Sequence, residues 1–251
     1  MHGGHPLDRP VWSALTTRQA DLAQGDARAL RIDPAYGLFA APADYAPASL
    51  AALAALVPAD GVIGLVELET PPVPAGLTMV STALCHQMLA DRIAPRQANF
   101  PIVPLGDSDA PEMLALATLT KPGPFFARTH RLGRFVGAKV DGRLVAMAGE
   151  RLQPMGFTEV SGVCTHPDHR GRGYAAALMA HVAERILARG ETPFLHSYSD
   201  NDGAIALYER MGFRLRRQVS YTLLARDSSD PPPQGGGVRR SLTEGEDRHV
   251  L

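Results

Sequence analysis

Two cysteines, Cys85 and Cys164, in a chain of 251 residues are too few for a disulfide framework, so a reducing compartment is expected. No stretch approaches the about 18 consecutive apolar residues that a membrane-spanning helix needs. The start, MHGGHPLDRPVW, has neither the basic flank nor the apolar core of a secretory signal. Charge of one sign is missing too: 25 basic against 26 acidic residues leave −1, which gives no global attraction to nucleic acid or to an anionic membrane. A Gly-x-x-x-x-Gly-Lys-(Ser/Thr) loop for a nucleoside triphosphate is also absent. These absences leave a cytoplasmic globular chain as the expectation. At 45% hydrophobic and 20% charged residues, it can bury a core in one large domain or two small ones.

What is present centres on residues 158–190. The alternating segment Glu159-Val160-Ser161-Gly162-Val163-Cys164-Thr165 reads as a strand, and Ala175, Leu178, Met179, Val182 and Ile186 recur at helical spacing. Between them lies Arg170-Gly171-Arg172-Gly173-Tyr174-Ala175, a strand-to-helix turn. Its glycines clear side chains from the backbone, and the first free N–H groups of the helix point at whatever occupies the turn. Such a helix start is an anion site, to which Arg170 and Arg172 add donors suited to phosphate oxygens.

Val163-Cys164-Thr165-His166-Pro167 followed by Arg170-x-x-Gly173-x-Ala175 resembles motif A of the GNAT superfamily of N-acetyltransferases. Asn201-x-x-Ala204-x-x-Leu207-Tyr208-x-x-x-Gly212-Phe213 resembles motif B, at the usual distance. The likeness covers about residues 105–225, on a count of the motif positions. It implies an α/β (α+β) fold, a mixed and mostly antiparallel sheet flanked by helices. It also implies acetyl-CoA as co-substrate and no metal. By the resemblance, the strand bearing Val163, Cys164 and Thr165 splays from its neighbour, and its unpaired backbone groups bond the pantetheine arm. The pyrophosphate then lies on the N–H groups of Arg170, Gly171, Arg172, Gly173, Tyr174 and Ala175, with Asn201 also on the cofactor arm.

The remaining chain is read in order. Residues 1–10 are expected to be a flexible start, whose His2 and His5 lack the further ligands of a metal site. Residues 11–104 form an N-terminal α/β region, compatible with a degenerate copy of the same fold but lacking a second cofactor turn. In it, Pro47–Leu56 reads as a helix and 61–68 as a strand; 78–92 reads as a strand running into a short helix around 84–89. Residues 105–225 form the acetyltransferase domain. There Asp109, Pro111 and Glu112 start a helix, and Phe125, Phe126 and Arg128 either touch substrate or anchor their loop. Asp141-Gly142 closes a hairpin between 135–140 and 143–149. Arg214, Arg216 and Arg217 read as a solvated strand edge. Residues 226–251, rich in Pro, Gly, Ser and charge, read as a disordered tail.

The expected reaction is acetyl transfer from acetyl-CoA to a primary amine by direct attack in a ternary complex. By the resemblance, Tyr208 stands near the thioester sulfur as general acid, although its helical spacing also suits packing. Glu159 is the leading base, placed by period-two geometry on one face with Ser161 and Val163, its pKa raised by burial and acting through a water. His196 is the second choice. His166 and His169 match loop residues of the family better than a zinc pair, and Cys164 is read as a small core residue. The acceptor is a small-molecule amine or a protein N-terminus, with no nucleic-acid or membrane partner, and a homodimer stays open. The competing reading is a non-catalytic acyl-CoA-binding sensor or interaction module, which needs neither Tyr208 nor Glu159.

Overall fold

The computed structural model describes residues 4–227. In the N-terminal part, α1 (Pro10–Leu15) is followed by a small antiparallel sheet of β1 (Ala23–Asp26), β2 (Ala29–Ile32) and β3 (Ala40–Pro42). Then come α2 (Pro47–Ala55), β4 (Val62–Glu67) and β5 (Leu77–Leu89). Proline at the first turn opens both helices, where its missing N–H costs nothing.

The second part runs through β6 (Val103–Leu105), α3 (Ala110–Thr120), β7 (Phe135–Val140), β8 (Arg143–Glu150), β9 (Phe157–Thr165), α4 (Tyr174–Ala188), β10 (Thr192–Tyr198), α5 (Asp202–Met211) and β11 (Arg214–Arg226). Asp141 and Gly142 both take positive φ, 50° and 76°, the twist that a two-residue hairpin needs. No helix among the described residues is long and apolar enough to cross a membrane.

One eight-stranded sheet, in the order β4-β11-β5-β10-β9-β8-β7-β6, organises the molecule. Only the β9–β10 pair is parallel. Helices α4 and α5 cover one face through a core that joins Leu178, Met179, Val182 and Ile186 to Val136, Ala148 and Leu195. On the opposite face, Leu7, Val11, Leu15 and Phe39 pack on Phe194, Val219 and Tyr221, and α3 packs on Met147 and Cys164. Strands from both sides of residue 105 share this sheet, so its hydrogen bonding runs across the boundary expected there.

Three local expectations are corrected. Residues 84–89 are strand, not helix: β5 is paired on both sides, with β10 and with β11, and these ladders override local helical preference. The start of the chain is packed from His5 onward. Leu7 is 0% exposed and its carbonyl accepts from Gln87 Nε2 at 2.8 Å. Arg216 is not solvated either: its guanidinium reaches Asp8 at 2.6 Å and Gln87 at 2.8 Å. The tail expected at 226–251 falls, from residue 228 on, outside the described residues.

Leu7→Ala should lower the unfolding free energy by about 2–5 kcal/mol, the cost of emptying a buried leucine site. Urea denaturation reads this directly, and a change below about 0.5 kcal/mol, the range of surface substitutions, would mean that the segment is not part of the core.

Candidate active site

Strands β9 and β10 pair only at Phe157–Thr192, Thr158–Pro193 and Glu159–Phe194. Beyond that point β10 continues on β5 and β9 on β8, so the chain from Val160 to Thr165 has an edge without a strand partner. A bulge sits in this stretch. Pairing slips between Met147–Cys164 and Gly149–Ser161, which leaves one extra residue on β9, and Gly162 takes φ 63°.

The bulge exchanges faces. Val160 and Val163 both join the core under α4, whereas Cys164 joins the core under α3. Glu159 and Val163, expected on one face, are therefore on opposite ones: the extra residue breaks the period of two.

The fork opens into a cleft of about 610 Å³. One wall is β9 (Val163, Cys164, Thr165) and the turn after it (His169, Arg170, Gly171, Gly173); another is the start of α4 (Tyr174, Ala175, Ala176, Met179). The third is α5 and its cap (Asn201, Gly203, Ala204, Leu207, Tyr208, Arg210), and Thr120 and Arg96 complete the lining. Gly171 and Gly173 have φ 74° and 80°, and an added Cβ at either would meet nothing within 4 Å. Backbone conformation, not crowding, demands glycine there.

The first intrahelical bond of α4 runs from Ala177 N to Gly173 O at 3.1 Å, so the N–H groups of Tyr174, Ala175 and Ala176 have no helical acceptor. Arg170 N is already bonded to Pro167 O at 3.2 Å, so the anion cradle starts one residue later than expected.

Buried polar atoms without a hydrogen-bond partner among the described residues are Thr165 Oγ1, His169 Nδ1, Asn201 Nδ2 and His130 Nδ1. Three of the four belong to residues of this cleft. Asn201 shows why. Its Oδ1 caps α5 by accepting from Ala204 N at 3.2 Å, which leaves the amide donor toward the cleft. A ligand bearing carbonyl, amide and phosphate groups would satisfy such a set.

The expected site residues divide as follows. Val163, Cys164, Thr165, Arg170, Gly171, Gly173, Tyr174, Ala175, Asn201 and Tyr208 all line the cleft. Arg172 does not; its guanidinium donates to the Asp168 carbonyl at 3.3 Å. Tyr208 is 2% exposed, and burial raises its pKa, so the phenol keeps its proton at neutral pH. Burial likewise pushes the Cys164 thiol up to about 12, which removes it as a nucleophile. Phe125 anchors its loop, edge-on to Phe135 at 5.8 Å. Arg96, Thr120, Gly203 and Arg210 were not anticipated. Gly203, Leu207 and Arg210 share a helical face, a readable signal, whereas the loop that delivers Arg96 carries none.

Glu159 is a correction. It is 0% exposed, outside the cleft lining, and bonded through both oxygens to Arg151 at 2.8 and 2.9 Å. Oε1 also accepts from His196 Nδ1 at 2.8 Å. Burial works to raise its pKa, but the charge of Arg151 and the hydrogen bonds from His196 and Arg151 prevail and hold it at about 2. A carboxylate so stabilised is a poor base.

His196 is no better placed. Gln87 Oε1 accepts from Arg216, so Gln87 Nε2 is the donor facing His196 Nε2 at 3.1 Å. The ring thus accepts at Nε2, donates from Nδ1 and is wholly buried. The Glu159–His196 bond links β9 to β10 beside their last ladder pair, so this cluster clamps the base of the fork.

Known proteins match this architecture. The family model described as FR47-like protein matches residues 136–222. The N-alpha-acetyltransferase RimI of Mycobacterium tuberculosis is 36% identical over 111 residues, 39% of this chain and 68% of the relative. An acetyltransferase of Yersinia pestis is 37% identical over 88 residues, and the match spans only 60% of that relative. A crystal structure of a GNAT-family acetyltransferase from Novosphingobium aromaticivorans is 48% identical with a TM-score of 0.84, covering 90% of this chain and 100% of that one. A GCN5-related N-acetyltransferase from Kribbella flavida, 21% identical with a TM-score of 0.60 over 86% of this chain and 94% of its own, shares the fold.

Because the folded pKa of Glu159 lies below its ordinary 4.5, the stabilisation it gives is full above about pH 4.5 and fades as pH falls toward 2. Glu159→Gln should destabilise the protein by about 3–5 kcal/mol at pH 7 by leaving Arg151 buried without its counter-ion. The same variant should flatten the acid limb of the stability profile between about pH 4.5 and 2. An unchanged acid limb would place the titrating group elsewhere.

Proposed function

The chain belongs to the GNAT family of N-acetyltransferases, and on that premise we propose that it moves acetyl from acetyl-CoA to a primary amine by direct attack in a ternary complex. The observation that carries this reading is the convergence of three features on one cleft: the unpaired edge of β9, the open N-terminus of α4, and buried polar atoms without hydrogen-bond partners among the described residues. The pantetheine arm would lie along Val160–Thr165 as a strand would, with its amides on the free edge and on Asn201 Nδ2. The diphosphate would take the N–H groups from Gly171 to Ala176, where the helix end favours negative charge without a metal ion.

The amine nitrogen attacks the thioester carbonyl, and the tetrahedral intermediate collapses with departure of the CoA thiolate. Tyr208 is the proton donor of the cleft, kept protonated by burial and able to give its hydrogen bond, and then its proton, to the developing thiolate. The carbon–nitrogen bond forms first and the carbon–sulfur bond breaks on collapse; the proton released by the amine passes to water, from which Tyr208 is reprotonated. Glu159 acts on this chemistry only by fixing the fork. The mycobacterial relative is named an N-alpha-acetyltransferase, so a peptide with a free N-terminus is the first acceptor to try, beside a panel of small amines.

Tyr208→Phe should lower kcat about 100-fold, the smaller end of general-acid effects, while CoA affinity stays within about twofold. Free-thiol release and calorimetric titration read the two quantities. Unchanged turnover would remove Tyr208 from the reaction, and failure of the wild-type protein to bind CoA would remove the transferase reading altogether.

A further inference from the structure

The described residues include 20 arginines. Eight of them reach a carboxylate oxygen within 4.0 Å: Arg9, Arg18, Arg131 and Arg151 do so, as do four more between residues 189 and 217. Among the arginines without such a partner, Arg96 and Arg210 stand at the cleft. Both are exposed, both line the cleft, and neither side chain has a hydrogen bond or ion pair among the described residues. Two unneutralised guanidinium groups on one rim repel each other, so the rim is complete only with an anion between or beside them.

Their placement is built by the backbone. Ala94 N donates to Met211 O at 2.9 Å, tying the loop after β5 to the last turn of α5, one residue past Arg210. Gly212, with φ 105°, keeps that approach open, since an added Cβ would stand 2.6 Å from the Arg92 carbonyl oxygen. Farther along the same loop, Phe100 packs tilted against Tyr174 with ring centroids 4.5 Å apart, and Ile93, Phe100 and Ile102 pack on the core under α4 and α5. The loop is therefore held at both ends across the cleft, with Arg96 between the two anchors.

The helix N-terminus and its glycines already provide for a diphosphate. We propose that Arg96 and Arg210 form a second phosphate subsite, which takes a phosphomonoester on the outer part of the donor. In coenzyme A that group is the 3′-phosphate of the ribose, with a charge of about −1.5 to −2 at neutral pH by analogy with other phosphomonoesters. The inference rests on the acetyl-CoA reading above and adds to it a specificity: the donor is selected as the 3′-phosphorylated coenzyme, by Arg96, outside both motifs, and by Arg210, at a variable position within the second.

The test is calorimetric titration of the full chain with CoA and with 3′-dephospho-CoA. Wild type should bind CoA about tenfold more tightly, the scale of one charge-assisted hydrogen bond, and the ratio should shrink as salt is raised. Arg96→Gln and Arg210→Gln should each reduce the ratio, and the double variant should bind both ligands alike, at the affinity of wild type for dephospho-CoA. Equal binding by wild type overturns the subsite and leaves the transferase reading standing. So do variants that weaken both ligands in proportion, since the arginines would then serve the diphosphate. Binding of neither ligand overturns both readings.

Discussion

The structure depends on where two parallel strands stop touching. β9 and β10 share three residue pairs and then part, and the polar backbone exposed by that parting is the feature around which the cleft is built. An unpaired strand edge is ordinarily a hazard, open to association with any other chain. Here the edge lies inside the molecule, walled by α4 and α5, where only a narrow and extended ligand can pair with it. At the base of the fork, Glu159 on β9 and His196 on β10 are hydrogen-bonded, with Arg151 neutralising the carboxylate and Gln87 tying the ring to β5. Such a cluster fixes the point of divergence, since neither strand can slide without breaking charged bonds that no water can replace.

Burial has opposite consequences for the ionisable groups on the two sides of the sheet. Burial raises the pKa of Tyr208, so it holds its proton and can serve as a donor. Glu159 is buried against a guanidinium and gives its proton up far below neutrality. Desolvation alone would have made both weaker acids; the partner decides. The unsatisfied donors follow a related logic. Across the described residues, nearly every buried polar side-chain atom finds a bond, and three of the four that do not are gathered in one cleft, where a substrate of matching chemistry would complete them.

The N-terminal region takes part in this arrangement. Residues 62–89 supply two strands to the main sheet, β5 carries Gln87 to His196, and Leu7 and Asp8 close over the far side of the same cluster. The loop that follows β5 delivers Arg96 to the cleft. The fork and the N-terminal region therefore meet through shared hydrogen bonds, and a change at one end of the chain acts on the fork through Gln87.

Much of this was legible in the order of residues. The strand, glycine turn and helix from Glu159 to Ala188, the Asp141-Gly142 hairpin and the Asn201 cap are local: their signals lie within a few residues of one another, and local sterics and capping are sufficient to produce them. The GNAT likeness rested on those same local motifs, and ten of the twelve residues expected at the site do line the cleft. Non-local facts were out of reach. Whether Glu159 is a base or half of an ion pair depends on Arg151 and His196, brought to it by neighbouring strands. The face that Val163 occupies depends on a bulge set by register with β8. Residues 84–89 are strand because two partners pair with them, and Arg96 reaches the cleft because Met211 holds its loop. The sequence by itself determined the glycine turn and hence the open helix start; tertiary structure decided protonation and partnership, because a side chain's pKa and its neighbours are properties of the space around it.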